Sequence, residues 1–427
     1  MHPNDEKITS GVCQEVVKNL AQLLLKNYPF PELAVKMAAH IREKLNGGSY
    51  EDCETSPELS RRLTDDLQEI SHDLHLAVFY SPGEAAQVVE KRSQDPLDEA
   101  YESDWWHRVQ SNNFGLQKIE YLVGNIGYID IRYFAPVNLA GHVAVAAMNF
   151  LSRCDALIFD LRQCGGGDPF MTQLFQSYLF DEHKKPKLLL IKYHRARDEV
   201  QQKWTYPYVP GKRLPDIPVY ILTSRRTFSG GEDIAYTLKH HGRATIVGET
   251  TGGGAHPVTE LTLGEGFVIT LPEGYPTHPV TQSNWEGIGV QPDIEVPREQ
   301  ALETAHRHAI RGLLDKGTDP TRAHILNWYL QRLDAIYRSP VVDSSLLKKY
   351  IGQYRDYEVK IRAGGLALSR IGREDDWPML PISENTFTAD DDYNARFEIG
   401  EDGRVSALIW LGRDHEKEVR VARTGQT

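Results

Sequence analysis

Two short apolar runs, each ending in a glycine-rich turn, constrain this 427-residue chain more than any other feature. Ala156-Leu-Ile-Phe-Asp-Leu161 runs into Gly165-Gly-Gly167, and Val219-Tyr-Ile-Leu222 runs into Thr223-Ser-Arg-Arg-Thr-Phe-Ser-Gly-Gly231. A continuous apolar run bounded by turn residues reads as a strand buried on both faces, which needs helices packed on each side. Helical patterns do flank the runs, Leu139–Leu151 ahead of the first and Ser229–His240 after the second. Gly127–Arg132, Lys187–Tyr193 and Ala244–Val247 read as further strands. Strands alternating with helices predict an α/β core. In an open sheet of this kind, ligands bind beyond the carboxyl ends of the strands, so the two glycine-rich ends are expected to converge on one crevice.

The flanks have other textures. Ile8, Val12, Val16, Leu20 and Leu23 recur at helical spacing, as do Leu33, Met37, Ile41 and Leu45. Pro29 and Pro31 separate the two. Ser56-Pro-Glu58 starts a third helix, with proline at its first position. His75–Tyr80 reads as a strand, residues 82–112 as polar and irregular around Trp105-Trp106, and 259–296 as hairpins. Residues 297–337 are helical. From 345 to 423, short alternating stretches at Tyr357–Arg362, Leu366–Arg370, Ala395–Ile399 and Val405–Trp410, punctuated by glycines, predict a small antiparallel sheet or barrel. The expected division is 1–72 helical, 73–298 α/β core, 299–340 helical connector and 341–427 β domain.

Composition narrows the partners. Lys and Arg number 48 against 60 Asp and Glu, a net charge of −12, which disfavours a nucleic-acid surface. The longest apolar runs fall far short of the ~20 residues that span a bilayer, so no membrane segment is expected. No signal-peptide core is present: the protein is expected in the cytoplasm, or exported with its signal already removed. Cys13, Cys53, Cys154 and Cys164 form no CxxC pair and read as reduced, packed thiols. His306 and His308 point to different sides of a helix, and no His-Glu-x-x-His pattern occurs, so neither a metal nor a cofactor is expected.

The chemistry concentrates at Ser229-Gly-Gly-Glu232. A serine between a strand and a helix presents its hydroxyl at the helix N-terminus, where the unpaired N–H of Gly230 can receive an oxyanion. The same four residues also fit a capping box, with Ser229 as cap and Glu232 its partner. Gly165-Gly-Gly167 reads either as the second wall of a site or as a tight turn. It is not a phosphate loop, because no Lys-Ser/Thr pair follows.

Asp160-Leu-Arg-x-x-Gly-Gly-Gly167, Ser229-Gly-Gly-Glu232, Val247-Gly-Glu-Thr-Thr-Gly-Gly-Gly254 and Gly287-Ile-Gly-Val-Gln-Pro-Asp-Ile-Glu-Val296 occur in this order. The succession resembles the tail-specific (C-terminal processing) serine peptidase family, in its branch similar to interphotoreceptor retinoid-binding protein and the tricorn core. The resemblance covers about residues 10–298 and implies a crotonase-like (ClpP-like) α/β core acting on a peptide or protein substrate. Two departures stand out. Gly254 occupies the position where the bacterial enzymes carry the lysine of a Ser–Lys dyad. Between residues 80 and 117 there is too little chain for a PDZ insert.

A serine without that lysine needs another base. The resemblance to the tricorn type implies His75 as base, Glu286 as its support, and Gly230 and Gly166 as the oxyanion donors. Leu74 stands where that type has a linking serine, and His256 is the rival base. The resulting expectation is a Ser229 peptidase, with a non-catalytic carrier of retinoids or fatty acids, or a small-acyl esterase, as alternatives. The C-terminal unit resembles β modules appended to serine hydrolases, through Tyr350-Ile-Gly-Gln-Tyr354 and Leu380–Phe387. It implies a lid, docking or dimer-contact role, and a homo-oligomer is possible.

Overall fold

The computed structural model describes residues 8–90, 104–181, 185–338, 340–373, 375–390, 392–414 and 418–424; the side chains of 87–90 and 104–106 also lie outside the description. Part of the 82–112 expectation, including the Trp105-Trp106 side chains, therefore falls outside it. The rest is helical rather than irregular: Pro82–Glu90 and Asp104–Ser111 are helices. The chain forms two compact units, one of Met1–Glu120 with Gly127–Ala301, the other of Tyr121–Ile126 with Leu302–Thr427.

The first unit is built on a six-stranded sheet. Its strands are β2 (Leu116–Leu122), β3 (Ile126–Ile131), β4 (Ala156–Asp160), β7 (Val219–Thr223), β8 (Thr245–Gly248) and β12 (Ile294–Glu295), in the order β12-β8-β7-β4-β3-β2. β4 pairs in parallel with β7, β7 with β8, and β8 with β12. Every residue of β4 and β7 is buried, as expected of predominantly apolar strands covered on both faces. Helices Val137–Phe150, Pro169–Ser177 and Gly230–His240 share the core with them, through Ala144, Met148, Phe175, Ile234 and Leu238 around Phe159 and Ile221.

Two further sheets flank this one. β5 (Leu188–His194), β6 (Glu199–Trp204) and β11 (Gly274–Thr277) are antiparallel, in the order β11-β5-β6. β1 (Ala77–Tyr80), β10 (Phe267–Pro272) and β9 (Val258–Gly264) form the other. The strand expected at His75–Tyr80 begins only at Ala77. Asp73–Leu76 is a turn, closed by Leu76 N–H donating to the Asp73 carbonyl at 3.2 Å. The three N-terminal helices, Ser10–Asn27, Pro31–Asn46 and Ser56–Ser71, bury their apolar faces against Leu76, Val78, Leu263, Phe267, Ile269 and Leu271. Helices and antiparallel sheet thus share one core. Alternating strands carry a single apolar face, and here the helices cover it.

In the second unit, helices Ala301–Asp315 and Pro320–Arg338 break at Gly317 and Pro320. The β part is two four-stranded antiparallel sheets, each with its strands in chain order, spanning Gly352–Met379 and Thr386–Ala422. A small antiparallel sheet or barrel was expected. Four of the eight strands are short or two-sided in burial, so the sequence does not mark them. Tyr350, stacked on Phe397 at 4.1 Å, anchors their common core. The four cysteines are buried and free. No helix among the described residues is long and apolar enough to cross a membrane.

Candidate active site

The turn after β7 sets the position of Ser229. Thr227 Oγ1 donates to the Leu161 carbonyl at 2.7 Å and Ser224 Oγ to the Arg162 carbonyl at 2.6 Å. Phe228 N–H donates to the Cys164 carbonyl at 3.0 Å. The β7 turn is thereby sewn to the β4 turn, and the two glycine-rich strand ends do converge. Ser229 itself holds φ 49° and ψ −115°, a region side chains rarely adopt. Strain of this kind persists where surrounding bonds over-determine it, and it projects a nucleophile from a strand-to-helix turn.

Glu232 ties this turn to the loop that follows β8. Its carboxylate accepts from the N–H groups of Ser229 (2.9 Å), Gly253 (2.7 Å) and Gly254 (2.8 Å), and from the Thr251 hydroxyl. It is both the cap partner and a neighbour of the site. Burial pushes its carboxyl up to about 7, against the pull of those four donors.

Gly166 and Gly167 pack edge-on against the serine. A Cβ on Gly166 would lie 2.7 Å from Ser229 Cβ, and one on Gly230 would lie 3.1 Å from Gly167 N. Only glycine permits this approach. A cavity of about 350 Å³ opens here, lined by Ser229, Gly230, Gly167, His256, Lys192 and Trp285 among others. Gly167, rather than Gly166, is part of its lining.

The two candidate histidines differ sharply. His256 lines the cavity with Ser229. Its Nδ1 lies 2.6 Å from Asp73 Oδ2 and 3.6 Å from Glu286 Oε2. Glu286 Oε2 also accepts from the N–H groups of Ala255 (2.6 Å) and His256 (3.2 Å), fixing the backbone that carries the ring. Burial raises the Glu286 carboxyl, and His256 pulls the other way. Glu286 is thus a support for His256 first.

The His75 side chain is buried with neither ring nitrogen hydrogen-bonded, Nδ1 lying 4.0 Å from Asp73 Oδ1, and its ring centroid is 4.7 Å from that of Phe228. Burial lowers it to about 4, so it is neutral near pH 7. It does not line the cavity. A Cβ on Gly254 would collide with the Phe228 ring and lie 2.6 Å from His75 Cε1. The space that a lysine at 254 would need is filled by these two rings.

Asp73, which the sequence reading did not single out, is the centre of the arrangement. It is 1% exposed and accepts from the Tyr28 hydroxyl (3.2 Å), the His75 N–H (3.1 Å) and His256. Its only local signal is the Asp-x-His spacing to His75. Ligand atoms of Asp73, His75 and Glu286 lie within 4.8 Å of one another, the one grouping near Ser229 among the described residues with donors suited to a metal. Asp73 is already committed to three donors, so the set is better suited to holding an imidazole than an ion.

Residues 125–296 match the model of Peptidase family S41, and residues 9–104 that of the N-terminal domain of Peptidase S41 in eukaryotic IRBP. A carboxyl-terminal-processing protease of a Picosynechococcus species is 28% identical over 181 residues, 41% of this chain and 40% of that protein. The chain therefore matches well under half of that relative's length. Among solved structures, mature CPAF shares 13% identity at a TM-score of 0.48, covering 72% of this chain and 99% of the other. A lipoprotein from Streptococcus agalactiae has 12% identity at 0.48, covering 70% and 96%. The photosystem II D1 C-terminal processing protease has 16% at 0.40, covering 68% and 94%. The chain carries a Peptidase family S41 domain over residues 125–296, preceded by the N-terminal domain found with it in IRBP.

Proposed function

We propose that the protein is a serine-type peptidase in which Ser229 is the nucleophile and His256, oriented by Asp73, is its base. The observation that carries this reading is the pairing of a strained serine with a carboxylate-bound histidine on the wall of one cavity. Asp73 fixes the Nδ1–H tautomer and leaves Nε2 as the acceptor. Ser229 Oγ adds to the scissile carbonyl while Nε2 takes its proton. Asp73, supported by Glu286, stabilises the imidazolium. The tetrahedral oxyanion is received by the N–H groups of Gly230 and Gly167. Collapse breaks the C–N bond, and His256 returns the proton to the leaving amine. Water, deprotonated by the same ring, then releases the acyl group. Substitution of Ser229 by alanine abolishes hydrolysis of casein and of a peptide library; full activity in that variant sinks the reading.

His75 is the second reading, and one observation favours it: a buried imidazole with neither ring nitrogen hydrogen-bonded, seated where a side chain at 254 would be. Buried unsatisfied groups call for a functional explanation, and a water bridging His75 to the free Glu286 Oε1 would supply one. The pH at which it accepts a proton, about 4, makes it the weaker base near neutrality. The carrier reading draws no support from a wall bearing Lys192, His194, Asp233 and Glu273. Nitrophenyl esters tested beside peptides separate the esterase reading. The six-stranded sheet with its flanking helices fits the crotonase-like description, and the net charge of −12 favours a peptide over a nucleic acid as substrate.

A further inference from the structure

The hairpin of β5 and β6 supplies one wall of the Ser229 cavity. Leu190, Lys192 and His194 alternate along β5, so they share the face that lines it. Lys192 lies opposite Gln201 of β6 and Pro276 of β11, and both of these line the cavity too. A cation is therefore built into the middle of a three-stranded wall.

The carboxylates around it are already engaged. Asp233 is held by Lys203, by Thr172 Oγ1 at 2.6 Å, by Gln176 Nε2 at 3.3 Å and by Thr237 Oγ1 at 3.2 Å. Burial would raise Asp233, yet Lys203 keeps it below the usual carboxylate range. Glu273 faces His194 Nδ1 at 3.5 Å and Arg197 at 3.8 Å. Asp168 caps its helix, accepting from Met171 N–H at 3.4 Å and from Val137 N–H at 2.9 Å. No ion pair to Lys192 is found among the described residues. Burial first, then the neighbouring Lys203, lowers its ammonium to about 8. It is thus still charged near neutrality, beside a second buried cation whose only aspartate is spent. A half-buried ammonium without a counter-ion is costly, and a bound carboxylate removes that cost.

We propose that Lys192 makes the cavity beside Ser229 selective for a substrate carboxylate, either the side chain of a Glu or Asp flanking the scissile bond or the free C-terminus of the chain. This inference rests on the peptidase reading of Ser229, and its test is arranged to fail separately. Matched fluorogenic peptides carry Glu or Gln at each position flanking the scissile bond, each with a free or an amidated C-terminus. The expected result is a kcat/KM at least about tenfold higher for the acidic member of one pair, as a charge-assisted hydrogen bond provides. The Glu/Gln pairs and the acid/amide pairs identify which carboxylate is read. Lys192→Met brings the ratio to near one and Lys192→Arg retains a preference, with thermal melting confirming that both variants fold. Equal cleavage of acid and neutral peptides, or an unchanged ratio in Lys192→Met, overturns the proposal. In the Ser229→Ala protein, the same acidic peptide binds about tenfold more tightly than its neutral partner by calorimetry. That arm reads Lys192 even if no peptide is cleaved; equal binding there also overturns it.

Discussion

His256 Nδ1 and Asp73 Oδ2 lie 2.6 Å apart although 183 residues separate them in the chain. The pair joins the turn ahead of β1 to the loop after β8, and it holds the imidazole on the cavity wall against a carboxylate. Replacement of Asp73 by asparagine preserves shape but removes the charge and offers the wrong hydrogen-bonding partner. By analogy with the same change in serine-protease triads, kcat is expected to fall by ~10³–10⁴ with KM changed little. Steady-state kinetics on one peptide substrate checks this, and a wild-type kcat in the variant removes Asp73 from the mechanism.

Gly254 is expected to be intolerant of any side chain. Its Cβ would meet the Phe228 ring and His75 Cε1, so Gly254→Ala should cost about 1–3 kcal/mol in urea denaturation. Gly254→Lys should be at least as damaging and should not create a Ser–Lys enzyme. Unaltered stability in Gly254→Ala would mean that the rings do not occupy this space.

Glu232 is an acceptor for four donors at once. A glutamine there presents an NH₂ group to some of them, leaving buried N–H groups unpaired. Glu232→Gln is expected to lose about 1–3 kcal/mol of stability for each group left unpaired. It should also lower kcat, because the Ser229 turn and the Gly253–Gly254 loop lose their common tie. Loss of stability with a normal kcat would confine Glu232 to the helix cap.

Acid should destabilise the fold before carboxylates titrate in bulk. Burial lowers His75, His241 and His278 to about 4 in the folded state, and His194 and His240 shift in the same direction. Unfolded histidine takes up its proton near 6.5. Between pH 6.5 and 4 the unfolded chain therefore binds more protons, and stability falls as pH falls. Glu232 and Glu286, shifted upward, act in the opposite sense but are fewer. The urea midpoint should be lower at pH 5 than at pH 7.5; an equal or higher midpoint contradicts the burial of these rings in neutral form.

Much of this was legible in the sequence because its signals are local. The apolar runs at 156–161 and 219–222 mark the central parallel strands, and Ser229-Gly-Gly-Glu232 marks a serine at a helix start with its cap partner. What escaped is long-range. Nothing near Asp73 reveals that its partner is 183 residues away, so His75, two positions along, draws the attention. That Gly167 lines the cavity depends on how the β4 turn packs against Ser229, and three consecutive glycines do not encode that. Lys192 looks like an ordinary residue of a half-exposed strand. Only the register of β5 against β6 and β11 shows it facing the cavity, and only the pairing of Lys203 with Asp233 shows it without a partner. The strand near His75–Tyr80 was legible, but its alternation says only that one face is covered; its pairing with β10 is a long-range fact.

The central claim, that Ser229 is activated and that His256 activates it, is tested most directly by the rate of fluorophosphonate labelling, with the modified residue located by peptide mass mapping. The expected result is a single adduct on Ser229, formed ~10³-fold or more slowly in His256→Ala and at near wild-type rate in His75→Ala. The absence of any adduct on Ser229 in the wild-type protein contradicts the nucleophile. A rapid reaction in His256→Ala that is lost in His75→Ala contradicts the base.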